Sequence, residues 1–240
     1  MLLCRVLAAW LVLWGLVLPG AAQPSGPSHP YLGVTLTERT VTSPRLARMV
    51  VAQVDLTAPG IRVVVSPPGG ARETVRETTL QFLTRQGAQL AVNAHFFLPF
   101  PSDDSEAWVI GLAASDGHVY SGFETPEQRF AILPDAPALR LDRNQRARIV
   151  HRRPGGLATR VRERGAVWNA VAGSAQIVTG GRLTIPVYRD DTHPAGRLTP
   201  GPEGRYDNQR SWYDLLTART VVGLSRNRKT LSLVTVVGIN

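Results

Sequence analysis

Asn93 and His95 stand at the end of an apolar run, in Leu90-Ala91-Val92-Asn93-Ala94-His95-Phe96-Phe97. The amide offers donors and an acceptor to a bound ligand. The imidazole titrates near neutral pH and can pass a proton. Pro99 and Pro101 follow and cannot extend a regular ladder, because proline has no N–H. The plainer alternative is a strand exit whose polar pair is only hydrogen-bonded, as most buried polar groups are. Arg219 stands at the mouth of a predicted strand, just after Trp212-Tyr213-Asp214. A guanidinium there can hold a phosphate or carboxylate through two parallel hydrogen bonds. It can equally be an ion-pair partner of Asp207 or Asp214. Gly173-Ser174-Ala175-Gln176 precedes another strand and supplies a hydroxyl and an amide, as a sugar-binding turn would.

Other chemistry is thinly represented. The histidines are His29, His95, His118, His151 and His193, no two at ligand spacing, so no metal site is indicated and no cofactor is called for. The acidic groups Asp103-Asp104-x-Glu106 and Asp190-Asp191 suit a cation or paired carboxylates, but such pairs are commonly solvated loop residues. Cys4 is the only cysteine. It precedes the expected cleavage point, which leaves the exported chain without disulfides, a thiol nucleophile or thiolate ligands. The net charge is +9, carried almost wholly by arginine, with Lys229 the single lysine. Arginines crowd at 146–148, 152–153, 160–164 and 226–228. A basic surface favours polyanions. No recognition helix or aromatic-plus-basic motif accompanies it, so nucleic acid is not an expected partner.

The elements that must position these residues read as follows. Arg5, an apolar run at 7–18 and Pro19-Gly20-Ala21-Ala22 form a secretory signal peptide over 1–22. The run is shorter than the roughly 20 apolar residues of a membrane span, so no span is expected after cleavage and the chain is placed as secreted or periplasmic. A Pro/Ser/Gly linker covers 23–30, and one domain covers 31–240. Strands are predicted at 31–37, 47–56, 61–65, 89–93, 108–115, 118–120, 129–133, 149–151, 176–179, 182–185, 220–225 and 230–237. A helix is predicted over 74–86, closed by Gly87. Asp116-Gly117 and Gly180-Gly181 mark tight hairpins, and 186–208 reads as a long Pro/Gly/Asp loop. The final strand, Leu231 to Val237, must pair inside a sheet or leave an exposed edge. The pattern has many hairpins and no βαβ rhythm. It predicts an α+β class: mixed, mostly antiparallel sheets with few helices.

Taken in order, the predicted helix with Thr74-Val75-Arg76-Glu77-Thr78, then Ala91-Val92-Asn93-Ala94-His95-Phe96-Phe97, Gly173-Ser174-Ala175-Gln176-Ile177-Val178 and Ala218-Arg219-Thr220-Val221-Val222-Gly223 resemble the phosphodiester glycosidase family. Its bacterial members are often labelled exopolysaccharide biosynthesis proteins. Asn93, Phe96 and Phe97 match the family's Asn-Gly-Gly-Phe-Phe motif; Arg219, Thr220 and Gly223 match its Arg-Thr-x-x-Gly motif. The resemblance implies an exported hydrolase acting on a sugar-1-phosphodiester or phosphorylated glycan. Asn93, His95 and Arg219 would be catalytic, and Phe97, Ser174, Gln176 and Thr220 would bind substrate. Ala94-His95 replaces the family's glycine pair. The family also continues into a helix and a Leu-Asp-Gly-Gly-Gly-Ser segment, whereas Val237-Gly238-Ile239-Asn240 stops short of them, so a C-terminally truncated member with weak or no turnover is expected. The alternative is a non-catalytic envelope protein that binds glycans or polyanions.

Overall fold

A computed structural model describes residues 26–43, 45–99, 102–123, 136–174, 176–185 and 218–238. The predicted signal peptide, the strand at 129–133, the loop at 186–208, Asp190-Asp191 and the Trp212 region lie outside the described residues.

Two five-stranded antiparallel sheets carry the fold. The first contains β1 (Ser28–Tyr31), β2 (Val34–Val41), β3 (Ala47–Asp55), β14 (Arg219–Leu224) and β15 (Thr230–Gly238), in the order β1-β2-β3-β15-β14. The second contains β7 (Ala113–Ser115), β8 (His118–Ser121), β9 (Ala138–Leu141), β10 (Ala147–Val150) and β11 (Asn169–Ala172), in the order β10-β9-β11-β7-β8. Alternate side chains of the first sheet, Val34, Val54, Leu231, Leu233, Val222 and Leu224, pack against Leu139, Leu141, Ala147 and Ile149 of the second. Leu141 and Leu231 are 0% and 2% exposed. Each such side chain contributes about 1.5–3 kcal/mol by leaving water. A second cluster, of Leu112, Phe123, Val150 and small alanines, lies on the other face of the second sheet.

A three-stranded sheet, β4 (Thr74–Val75), β6 (Glu106–Ile110) and β5 (Phe96–Leu98), stands beside these, with β6 in the middle. β12 (Val178–Thr179) and β13 (Arg182–Leu183) form a small separate hairpin. The single helix among the described residues is α1 (Thr79–Gln86).

The fold is therefore mainly β, which corrects the α+β expectation. The predicted helix over 74–86 is cut back because its first residues take another partner. Thr74 and Val75, β-branched and suited to a pleated surface, pair with Ala107 and Glu106. Thr78 then caps the helix in a reciprocal box with Gln81, and Gly87 closes it at φ 59°. α1 buries no residue fully. It adds an amphipathic cover, not a second structural layer.

Two predicted strands dissolve into extended chain. Segment 61–65 makes no ladder; side chains satisfy its backbone instead. Val63 N–H donates to Gln145 Oε1 at 2.8 Å, Asn169 Nδ2 donates to the Val63 carbonyl at 2.8 Å, and Ser115 Oγ donates to the Val65 carbonyl at 3.0 Å. Segment 89–93 is irregular, and pairing begins only at Phe96, opposite Ile110. The predicted strand over 108–115 is broken at Gly111, φ 93°, which sends β6 and β7 into different sheets. The hairpins hold: Asp116 and Gly117 take φ 48° and 85°, and Gly180 and Gly181 take 60° and 79°. β15 is not an edge, since it pairs with β3 on one side and β14 on the other. Among the described residues no helix is long and apolar enough to cross a membrane.

Candidate functional site

A cleft of about 1270 Å³ opens between the first sheet, α1 and the irregular segment 88–95. Asn93, Ala94, His95 and Phe97 line it, together with Arg76, Glu77 and Asp103. Three of the sequence-predicted residues thus share one wall. Asn93 is exposed at the rim because the chain around it is held by no ladder. Thr220, from β14, reaches it from the far end of the sequence: its Oγ1 donates to Asn93 Oδ1 at 2.5 Å. That leaves the Asn93 amide nitrogen as a donor with no hydrogen-bond partner among the described residues.

Arg219 is not brought to this place. Successive strand residues face opposite sides of a sheet. With Thr220, Val222 and Leu224 turned to the cleft and core, Arg219 lies on the outer face with Val221. It is half-buried, and desolvation, then the positive charge of Arg45, lowers its pKa. Arg219 and Thr220 are adjacent in the motif and separated by the sheet.

His95 is held from two sides. The Ala172 N–H donates to Nε2 at 2.9 Å, and the Leu112 carbonyl lies 3.2 Å from the same nitrogen. A nitrogen accepting a backbone N–H carries a lone pair, so the neutral ring holds its proton on Nδ1. Burial disfavours the imidazolium and, only partly offset by the Leu112 carbonyl, lowers the pKa to about 4. The ring fastens the chain between Asn93 and β5 to the end of β11. The nitrogen that would take a proton from water is already occupied by a backbone donor.

Phe97 is half-buried, and the Arg76 guanidinium lies over its ring, 4.8 Å from the centroid. Arg76 NH1 also donates to the carbonyls of Ser102 and Asp104 at 2.7 and 2.8 Å. It thus clasps the backbone on both sides of Asp103. The acidic group 103–106 splits by partner. Asp104 pairs with Arg72 at 2.9 Å. Glu106 accepts the N–H groups of Ala71 and Arg72 at 2.9 and 3.2 Å. Asp103 remains exposed on the cleft wall and unpaired among the described residues. Sequence reading weighed these three acids as a set; their separate fates depend on the loop 67–72, which no local pattern reveals.

Ser174 and Gln176 lie away from the cleft wall, past the end of β11. Gln176 meets a pair that the sequence did not suggest. Its Oε1 lies 3.3 Å from His151 Nε2, and His151 Nδ1 lies 2.9 Å from Glu163 Oε1. Glu163 also accepts the His151 backbone N–H at 2.8 Å and pairs with Arg162 at 3.0 Å. Burial pushes the Glu163 carboxyl upward, but the hydrogen bonds from His151 and Arg162 outweigh it and bring it down to about 2. Among the described residues no group of three His, Cys, Asp or Glu side chains converges as a metal set.

Comparison of the chain with models of known protein families finds no match, and comparison with curated proteins finds none.

Proposed function

We propose that the protein is an exported hydrolase of the phosphodiester glycosidase type, acting on a sugar-1-phosphodiester at the Asn93 cleft. The observation that carries this reading is the Thr220–Asn93 hydrogen bond, which joins two segments 127 residues apart, each resembling a motif of that family. The polar groups on the cleft wall suit such a substrate. Asn93 offers its amide nitrogen to a sugar hydroxyl or phosphate oxygen. Arg76 sets a positive charge over Phe97 for the phosphate, the role that sequence reading gave to Arg219. Asp103 is placed to take a proton from water. His95 positions Asn93 by anchoring the chain beside it.

In this reaction the bond between the anomeric carbon and the phosphate oxygen breaks. Water supplies the new oxygen on carbon, its proton passes to Asp103, and the phosphate leaves as a monoester anion. Such a leaving group needs little protonation, so one carboxylate suffices. The leader over 1–22 supports an exported, secreted or periplasmic location.

Release of phosphomonoester from a panel of sugar-1-phosphodiesters by the purified chain tests the reading. Asn93→Ala and Asp103→Asn each lower turnover at least about 100-fold, the usual scale for a lost positioning or base group. Turnover unchanged in both variants overturns it; no release from any sugar in the panel, with binding at the cleft retained, matches the weak or absent turnover expected from the sequence and favours the non-catalytic glycan-binding alternative.

A further inference from the structure

Arg140 and Arg148 are direct cross-strand partners on β9 and β10. Residues opposite one another in an antiparallel pair share a face, with Cβ atoms about 5 Å apart. Two like charges in that position repel, and neither guanidinium forms an ion pair among the described residues, Asp142 and Glu163 acting on Arg140 only through space. Arg140 is 6% exposed. Its NH1 donates to the Arg164 carbonyl at 3.1 Å, its Nε is buried with no partner, and its NH2 makes no hydrogen bond among the described residues. The Arg148 guanidinium, half-buried, makes none either.

The nearby carboxylates make their hydrogen bonds to other groups. Asp142 Oδ1 accepts the N–H groups of Asn144 and Arg146 at 2.8 and 3.0 Å. Glu163 is taken up by His151 and Arg162. The backbone packs directly on the Arg140 guanidinium. Gly165 takes φ 125°, and a Cβ there would lie 2.6 Å from Arg140 NH1. A buried, like-charged pair with unfilled donors is costly unless something negative joins it.

We propose that Arg140 and Arg148 form an anion site that takes a tetrahedral oxyanion, a phosphate or sulfate group, between their guanidiniums. One guanidinium fork saturates a carboxylate; a tetrahedral anion has oxygens left to bridge a second. The site lies on the second sheet, on the face away from the Asn93 cleft, and does not depend on the hydrolase reading.

Thermal melts of the full chain test it, with chloride replaced by inorganic phosphate or sulfate at constant ionic strength. The melting temperature rises saturably with phosphate. Arg148→Gln weakens the fitted dissociation constant at least about tenfold, since it removes one of two charged forks. Arg153→Gln, on the exposed turn nearby, leaves that constant within about twofold. Should Arg140→Met fail to fold, Arg148→Gln still carries the test. A wild-type chain with no saturable response overturns the proposal. So does an Arg148→Gln constant equal to wild type, or a response abolished by Arg76→Gln, which assigns the anion to the cleft. Glucose 6-phosphate binding as tightly as inorganic phosphate assigns the site to an ester terminus of a larger ligand; its exclusion assigns it to the free ion.

Discussion

The Ala172 N–H donates to His95 Nε2 at 2.9 Å, which ties the candidate site to the second sheet through one neutral imidazole. The consequence is a defined pH dependence. The folded-state pKa is about 4, below the ordinary 6.5. The unfolded chain therefore binds a proton first as pH falls. The stability contributed by the neutral ring is fully present above pH 6.5 and is lost on descent toward pH 4. The loss is on the order of 3 kcal/mol. Urea unfolding between pH 7 and 4 shows this slope in the wild type, and His95→Gln removes it. An unchanged slope in that variant would show that His95 is not its source.

Gly111 guards the same contact from the other side. It breaks β6 from β7 at φ 93°, and an added Cβ would press on that of Ala172. Gly111→Ala is strained in the backbone and overpacked, at a cost of about 3 kcal/mol. Because Ala172 must give way, the ring tautomer of His95 also changes. Denaturant midpoints measure the first effect and ¹⁵N shifts of the imidazole the second. A stable variant with an unaltered His95 ring would contradict both.

The alternation of β14 makes a prediction about adjacent residues. Thr220 faces Asn93; Arg219 faces the opposite side. Thr220→Val frees the Asn93 side chain and lowers phosphodiester turnover by about tenfold, the kinetic equivalent of one ordinary hydrogen bond. Arg219→Gln leaves turnover within about twofold. Steady-state assays of both variants against one substrate decide the matter, and the reverse order of effects would place the arginine in the reaction.

What the sequence disclosed follows the range of the signal. Asp116-Gly117 and Gly180-Gly181 announced their turns because a positive φ is a property of the residue itself. β14 and β15 were legible because β-branched residues recur along them. The same reasoning misplaced 61–65, an apolar run whose backbone is met by Gln145, Asn169 and Ser115 from distant parts of the chain, and 89–93, which joins no ladder. It also read 74–86 as one helix, since nothing local shows that Thr74 has a strand partner in Ala107. At the site, Asn93, His95 and Phe97 were found together because they are neighbours in sequence. Thr220 was found only through the family resemblance. Asp103 was named among the acids, but its separation from Asp104 and Glu106, like the Arg140–Arg148 pair and the Glu163–His151 contact, depends on pairings across loops and strands that no spacing encodes.

Glu163 yields a final prediction, because one carboxylate holds three donors. It accepts the backbone and ring N–H of His151 and the guanidinium of Arg162. Its pKa of about 2 lies below the ordinary 4.5, so the stability it contributes is present above pH 4.5 and is lost as pH falls toward 2. Glu163→Gln keeps the shape but weakens charge-assisted bonds, and costs roughly 2 kcal/mol at pH 7. The difference from wild type shrinks below pH 4.5. The variant also releases His151 from its fixed orientation, so the Gln176 side-chain amide, 3.3 Å from Nε2, changes its NMR shift while the Asn93 amide does not. Equal stability at pH 7 with both amides unmoved would mean that Glu163 holds nothing in place.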